Sequence, residues 1–187
     1  MNICINIIVP ALKRLTLRIS QEDYYDVDFK ILIDTPMLEY IYLGDDYLAA
    51  YSVTSLPSLV QATLDVGMEY YDEDYIGDDN RFVRAIELIR GVSNAKYLSV
   101  IDGTSAALDR ADQVLPILHG VTYLELDDLP LAGLSLIPRF LKSAPKLKVI
   151  FVKIQPEVND IEGFDRMLHC TALPNISKNP ISLDQLF

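Results

Sequence analysis

Two cysteines and two histidines are all that the 187 residues contain. Cys4 and Cys170 lie far apart and lack the density of a disulfide framework, so both are expected as buried thiols in a reducing compartment. His119 and His169 stand without a nucleophile beside them, and the adjacent His169 and Cys170 have no second ligand pair at zinc spacing. Both histidines read as turn or surface residues. Glycine-rich phosphate loops of the Walker or Rossmann kind are missing as well. No enzyme activity, metal site or cofactor is therefore expected. Cations are scarce: sixteen Lys and Arg face twenty-seven Asp and Glu, a net charge of −11. That balance repels phosphate backbones, which argues against nucleic acid and leaves neutral or basic partners. Long apolar runs are lacking too, since the opening MNICINIIVP is too short for a membrane span and has no basic residue ahead of it. The expectation is a cytoplasmic or nuclear protein that binds no membrane.

What is present is a repeat. Half the chain is apolar, enough to bury a sizeable core in one domain. Its leucines recur in a fixed spacing: Pro10, Leu12, Leu15, Leu17, then Pro36, Leu38, Ile41, Leu43, then Pro57, Leu59, Ala62, Leu64. Three further copies run Ser93, Ala95, Leu98, Val100, then His119, Val121, Leu124, Leu126, then Pro145, Leu147, Ile150, Val152. The starts at 10, 36, 57, 93, 119 and 145 are 26, 21, 36, 26 and 26 residues apart. The last two apolar residues of each unit are two apart, so a strand points both to the same side. No single unit can bury such a face alone, but six stacked side by side share one interior. At about 4.8 Å per strand the sheet would be roughly 24 Å across.

The spacing predicts an α/β leucine-rich-repeat solenoid, a horseshoe with six parallel strands on the concave face and short, irregular helices on the convex face. Helical spacing is clear over 80–91, which ends on Gly91, a residue suited to a left-handed C-cap. A second helix is expected over 134–144, with Pro138 tolerated in its first turn. Shorter turns of helix are expected over 27–32 and 112–118. Ile3, Ile5 and Ile7 alternate as an extra strand expected to cover the first repeat's open edge, which otherwise favours self-association. Residues 1–153 form the repeat domain and 154–187 an irregular cap or tail. The long 36-residue step holds an acidic insert, 69–79, read as a solvated loop. Its Asp72, Glu73, Asp74, Asp78 and Asp79 lack the ordered spacing of a calcium loop, and Tyr71 and Tyr75 mark it as an alternative contact for a basic partner.

The units at 9–17 and 34–40 and the stretch Leu136, Pro138, Phe140, Leu141, Pro145, Leu147, Ile150 resemble the leucine-rich-repeat region of plant F-box proteins of the FBD-associated group. The likeness covers roughly residues 5–153, with Ala144 and Lys146 where that group usually has Cys and Asn. The resemblance implies a substrate-receptor arm, in which the F-box binds the adaptor of a cullin-RING ubiquitin ligase and the repeats hold the protein to be ubiquitinated. Within these 187 residues no F-box helices are expected ahead of the repeats and no FBD-like segment after residue 153. Adaptor binding is therefore not expected of these residues, and the partner is a target protein of unknown identity. The alternatives are a free-standing repeat binder or inhibitor and a truncated paralogue without a ligase link. The Asn or Cys that many such repeats place three residues after the last strand leucine is also absent, the positions being Ser20, Asp46, Gly67, Gly103, Leu129 and Gln155.

The expected binding surface is the concave face, where strand residues pointing away from the core stand on rigid backbone. Its members are Arg14, Thr16, Arg18, Tyr40, Tyr42, Gln61, Thr63, Tyr97, Ser99, Tyr123, Glu125 and Phe151. Four of the twelve are tyrosines, which suit interfaces by combining large apolar area with few rotatable bonds. Tyrosine is also a good strand former, so the cluster has a purely structural explanation as well.

Overall fold

The computed structural model describes residues 2–20, 28–46, 48–67, 80–111 and 113–154. The acidic insert 69–79, His169, Cys170 and the segment 155–187 lie outside the described residues.

Five of the six units enter the structure through a hydrogen-bonded turn. The amide N–H groups of Leu12, Leu38, Leu59, Ala95 and Leu147 donate to the carbonyls of Val9, Thr35, Leu56, Val92 and Ala144, three residues earlier. Pro10, Pro36, Pro57 and Pro145 thereby occupy the second position of a four-residue turn, where proline's fixed φ is already correct and its missing N–H is not needed. A strand follows at a constant offset. Strands β2 (Arg14–Ile19), β4 (Tyr40–Asp45), β6 (Gln61–Val66), β7 (Tyr97–Ile101), β8 (Tyr123–Leu129) and β9 (Val149–Ile154) each start four residues after one of the six repeat starts.

These six form one parallel sheet in the order β2-β4-β6-β7-β8-β9. A repeated pair of bonds sets the register at strand entry: the Lys13 carbonyl accepts from the amides of Glu39 and Tyr40, and Glu39, Val60, Lys96 and Thr122 do the same for the next rung. Equivalent leucine positions therefore fall in columns. Leu15, Ile41, Ala62, Leu98, Leu124 and Ile150 are register partners, as are Leu17, Leu43, Leu64, Val100, Leu126 and Val152. The four central members of each column are buried, whereas those on β2 and β9 are only partly so. Each rung is covered by the next, and the end rungs have a neighbour on one side.

The return path differs from the expectation in the first half. Residues 28–34 are not helical but form strand β3 (Asp28–Asp34), parallel to β1 (Asn2–Ile8) and β5 (Ala50–Val53) in a second sheet of order β1-β3-β5. Phe29, Ile31 and Ile33 alternate, and β-branched side chains at every second position favour a strand. The extra strand at Ile3, Ile5 and Ile7 exists, but it pairs with β3 in that second sheet and not with β2, the end strand of the large sheet among the described residues. Cys4 on β1 is exposed rather than buried, because it alternates with those isoleucines.

Helices take over in the second half: α1 (Asn80–Gly91), α2 (Asp102–Arg110), and a 3₁₀ turn (Leu131–Ser135) running into α3 (Leu136–Ser143). Pro138 sits in the first turn of α3, as expected. Gly91 closes α1 without a left-handed φ. A Cβ there would lie 2.6 Å from that of Val53, so close packing on β5 explains this glycine. Residues 113–118 are not helical. The helix of that repeat falls earlier, and Arg139 holds the following segment by donating to the carbonyls of Leu108, Ala111 and Gln113 at 2.8–3.0 Å.

Two polar side chains serve the turns that lack the usual amide. The Asp45 carboxylate, on a buried residue, accepts from the Ala49 amide at 2.6 Å and the Tyr51 hydroxyl at 3.0 Å. Thr104, also buried, bridges β6: its hydroxyl accepts from the Val66 amide at 2.8 Å and lies 3.1 and 3.0 Å from the carbonyls of Leu64 and Val66. Gly67, with φ of 114°, meets Gly103 backbone to backbone, and a Cβ on Gly67 would stand 2.8 Å from the Gly103 carbonyl oxygen.

Candidate binding face

The alternation that buries the leucine columns turns the intervening residues to the opposite side of the sheet. Register arranges them in rows. The first row is Arg14, Tyr40, Gln61, Tyr97, Tyr123 and Val149; the second is Thr16, Tyr42, Thr63, Ser99, Glu125 and Phe151. A third begins with Arg18, Gly44 and Asp65, and pairs Ile101 with Asp127. All twelve residues singled out from sequence stand in these rows. Eleven are partly or fully exposed; Ser99, in register with Thr63 and Glu125, is 6 % exposed.

Side chains in the rows engage one another across strands. The Arg14 guanidinium lies over the Tyr40 ring at 4.1 Å and that of Arg18 over Tyr42 at 4.9 Å, contacts of about 0.5–1 kcal/mol at exposed sites. The Tyr42 hydroxyl donates to Asp65 Oδ2 at 2.8 Å. Tyr97 and Tyr123 stack with ring centroids 4.4 Å apart and planes 10° from parallel, and the Tyr97 hydroxyl donates to Glu125 Oε2. Partial burial, then the carboxylate partner, raises the ionisation of Tyr42 and Tyr97 above the ordinary phenol value, so both remain donors at neutral pH.

Charge is unevenly spread. Both arginines of the face stand on β2, whereas the carboxylates Asp65, Glu125 and Asp127 lie on β6 and β8. Lys153 on β9 is already engaged, with Nζ 3.2 Å from Asp127 and 2.8 Å from Asp128. Asp128 adopts a left-handed φ of 53° at an irregularity in the β8–β9 register. Asp65, Asp127 and Lys153 each follow the last apolar column residue of their strand as Arg18 follows Leu17, but only Arg18 of the four is among the residues singled out from sequence. Carrying the two-residue period one step further along each strand finds them.

Among the described residues no cluster of His, Cys, Asp and Glu could hold a metal ion, and no helix is long and apolar enough to cross a membrane. His119 is an exposed residue at the head of its repeat, with no residue of this face beside it in the sequence. The described residues thus define a class: a parallel, repeat-built α/β protein whose large sheet presents an ordered array of aromatic and charged side chains.

Comparison with known proteins makes the class specific. An F-box/LRR-repeat protein of Arabidopsis thaliana is 34 % identical over 146 residues, covering 75 % of this chain and 31 % of that protein. Another is 29 % identical over 142 residues, 76 % of this chain and 30 % of its own length. A third, whose name adds FBD, is 27 % identical over 143 residues, 76 % and 28 % respectively. The chain is a homologue of the leucine-rich-repeat region of plant F-box/LRR-repeat proteins. It spans about a third of the length of these relatives. No family model matches the chain, and no solved structure does so.

Proposed function

We propose that this chain is a non-catalytic protein-interaction module, a leucine-rich-repeat solenoid corresponding to the substrate-recruiting part of an F-box ubiquitin-ligase receptor. The observation that carries the reading is the register shared by six strands through the first two rows, which sets tyrosine, arginine and carboxylate side chains side by side on rigid backbone. The names of the relatives support the ligase connection. The partner is a target protein that meets the twelve-residue face, in the cytoplasm or nucleus. The ligase adaptor is not expected to bind the repeats themselves.

The test is affinity capture from plant extract with the chain as bait, compared with a variant carrying alanine at Tyr40, Tyr42, Tyr97 and Tyr123. The variant is expected to keep its circular dichroism and lose the specifically captured protein. Equal capture by both baits overturns the assignment of the face.

A further inference from the structure

The sheet face contains one motif in two versions, and the second lacks a part. On β2, β4 and β6, Arg18 lies over the Tyr42 ring and the Tyr42 hydroxyl donates to Asp65. The sequence of groups is cation, aromatic ring, carboxylate. On β7 and β8, the stacked rings of Tyr97 and Tyr123 and the carboxylate of Glu125, bonded to the Tyr97 hydroxyl, repeat the aromatic and acidic parts. Among the described residues no guanidinium or ammonium lies over either ring or pairs with Glu125.

Beside this cluster stands Ser99, a further polar group of the same face. It is Glu125's register partner and follows Tyr97 by two residues, so it faces the same way. The residue is 6 % exposed overall and sets its hydroxyl on the row that holds Glu125. Its hydroxyl can donate or accept, so it adds a polar contact for a group that reaches Glu125. Glu125 accepts one bond from Tyr97, which leaves most of its acceptor capacity open.

We infer that the Tyr97–Tyr123–Glu125–Ser99 cluster is a subsite for a cationic side chain, arginine foremost, on the partner polypeptide. The planar guanidinium stacks on a partly exposed ring of the tyrosine pair while its N–H groups reach Glu125 and Ser99, reproducing from outside what Arg18 supplies to Tyr42 and Asp65 from within. The chain's charge of −11 draws such a partner in. This inference rests on the interaction-module reading and adds the chemistry of the partner.

Isothermal titration of the whole chain with an amidated pentapeptide of alternating glycine and arginine tests it, with the citrulline version as the neutral isostere. Binding of the arginine peptide is expected to weaken at least tenfold in Glu125→Gln and in Tyr123→Leu. Glu87→Gln on α1, which removes the same unit of charge elsewhere, is expected to match the unaltered chain. The subsite is overturned if the citrulline peptide binds equally well, or if Glu125→Gln and Glu87→Gln weaken binding alike. Partner capture separates this failure from that of the broader reading. Capture lost by the four-tyrosine variant but undiminished in Glu125→Gln keeps the face and removes the subsite. Capture undiminished in both removes the interaction face itself, and the peptide titration still decides the subsite.

Discussion

Between the first three rungs of the large sheet the chain returns through strands, β3 and β5, with β1 beside them; between the last four it returns through α1, α2 and α3. Repeat length does not choose between the two. The step from 10 to 36 contains a strand and the steps from 93 to 119 and 119 to 145 contain helices, although all three are 26 residues. The choice lies in the pattern of the connecting residues. Phe29, Ile31 and Ile33 alternate, an aromatic and two β-branched side chains that suit a strand, while Leu136, Phe140 and Ser143, the buried residues of α3, recur at helical spacing. The front sheet accepts either backing because its register is made by its own entry turns and inter-strand bonds.

The largest expected effect probes whether the two regions are energetically separate. Phe140→Ala removes a fully buried ring from α3 and should cost about 3–5 kcal/mol, with amide exchange rising in β8 and β9 more than in β1 and β3. Ile33→Ala should do the reverse. Exchange that rises evenly over the chain in both variants would show one cooperative unit instead of a stack with nearest-neighbour coupling.

Next come the two polar braces. Thr104→Val, in the helical half, strands the buried Val66 amide, and Asp45→Ala, in the strand-backed half, does so for the Ala49 amide and the Tyr51 hydroxyl. Leaving a buried donor unpaired costs about 1–3 kcal/mol, so each should lower the urea midpoint clearly. A comparable loss in both would show that the two halves depend equally on these side chains.

A smaller effect is confined to the strand-backed half. Burial, and then Asp45, raises the Tyr51 phenol well above its ordinary value of 10.0. A raised ionisation means that the stabilising contribution is complete below pH 10 and is lost as pH climbs beyond it toward the folded-state value. Alkaline titration of the melting midpoint should therefore fall above pH 10, less steeply in Tyr51→Phe. Smallest of all, Lys153→Met should leave the midpoint unchanged within error, because its ion pairs with Asp127 and Asp128 are open to solvent.

The front of the protein was legible in its sequence because two independent signals agree there, proline or a small turn residue at the entry and leucines two apart. Six strands follow from that pattern at a constant offset. The back was legible only where apolar residues recur over a dozen positions, as in α1. Over 27–32 the short apolar run fits a helix or a strand about equally, and it resolves only when β1 and β5 pair with it. The candidate face was legible as a list but not as a network. Periodicity places Arg18, Tyr42 and Tyr97 on one side, while their joining to Asp65 and Glu125 depends on strand register, which for Tyr42 and Asp65 runs across the irregular 21-residue step.

The step between β6 and β7 has one more implication. It is 36 residues against 21 for the step before it, yet Gln61 pairs with Tyr97 in the same register in which Tyr40 pairs with Gln61. For flexible loops the closure entropy difference between those lengths is only about 0.5 kcal/mol. Insertions between rungs are thus thermodynamically cheap while substitutions within a rung are not, so descendants of this scaffold can gain new segments at the connections without rewriting the sheet. The same connection is the natural place to graft a foreign peptide for display.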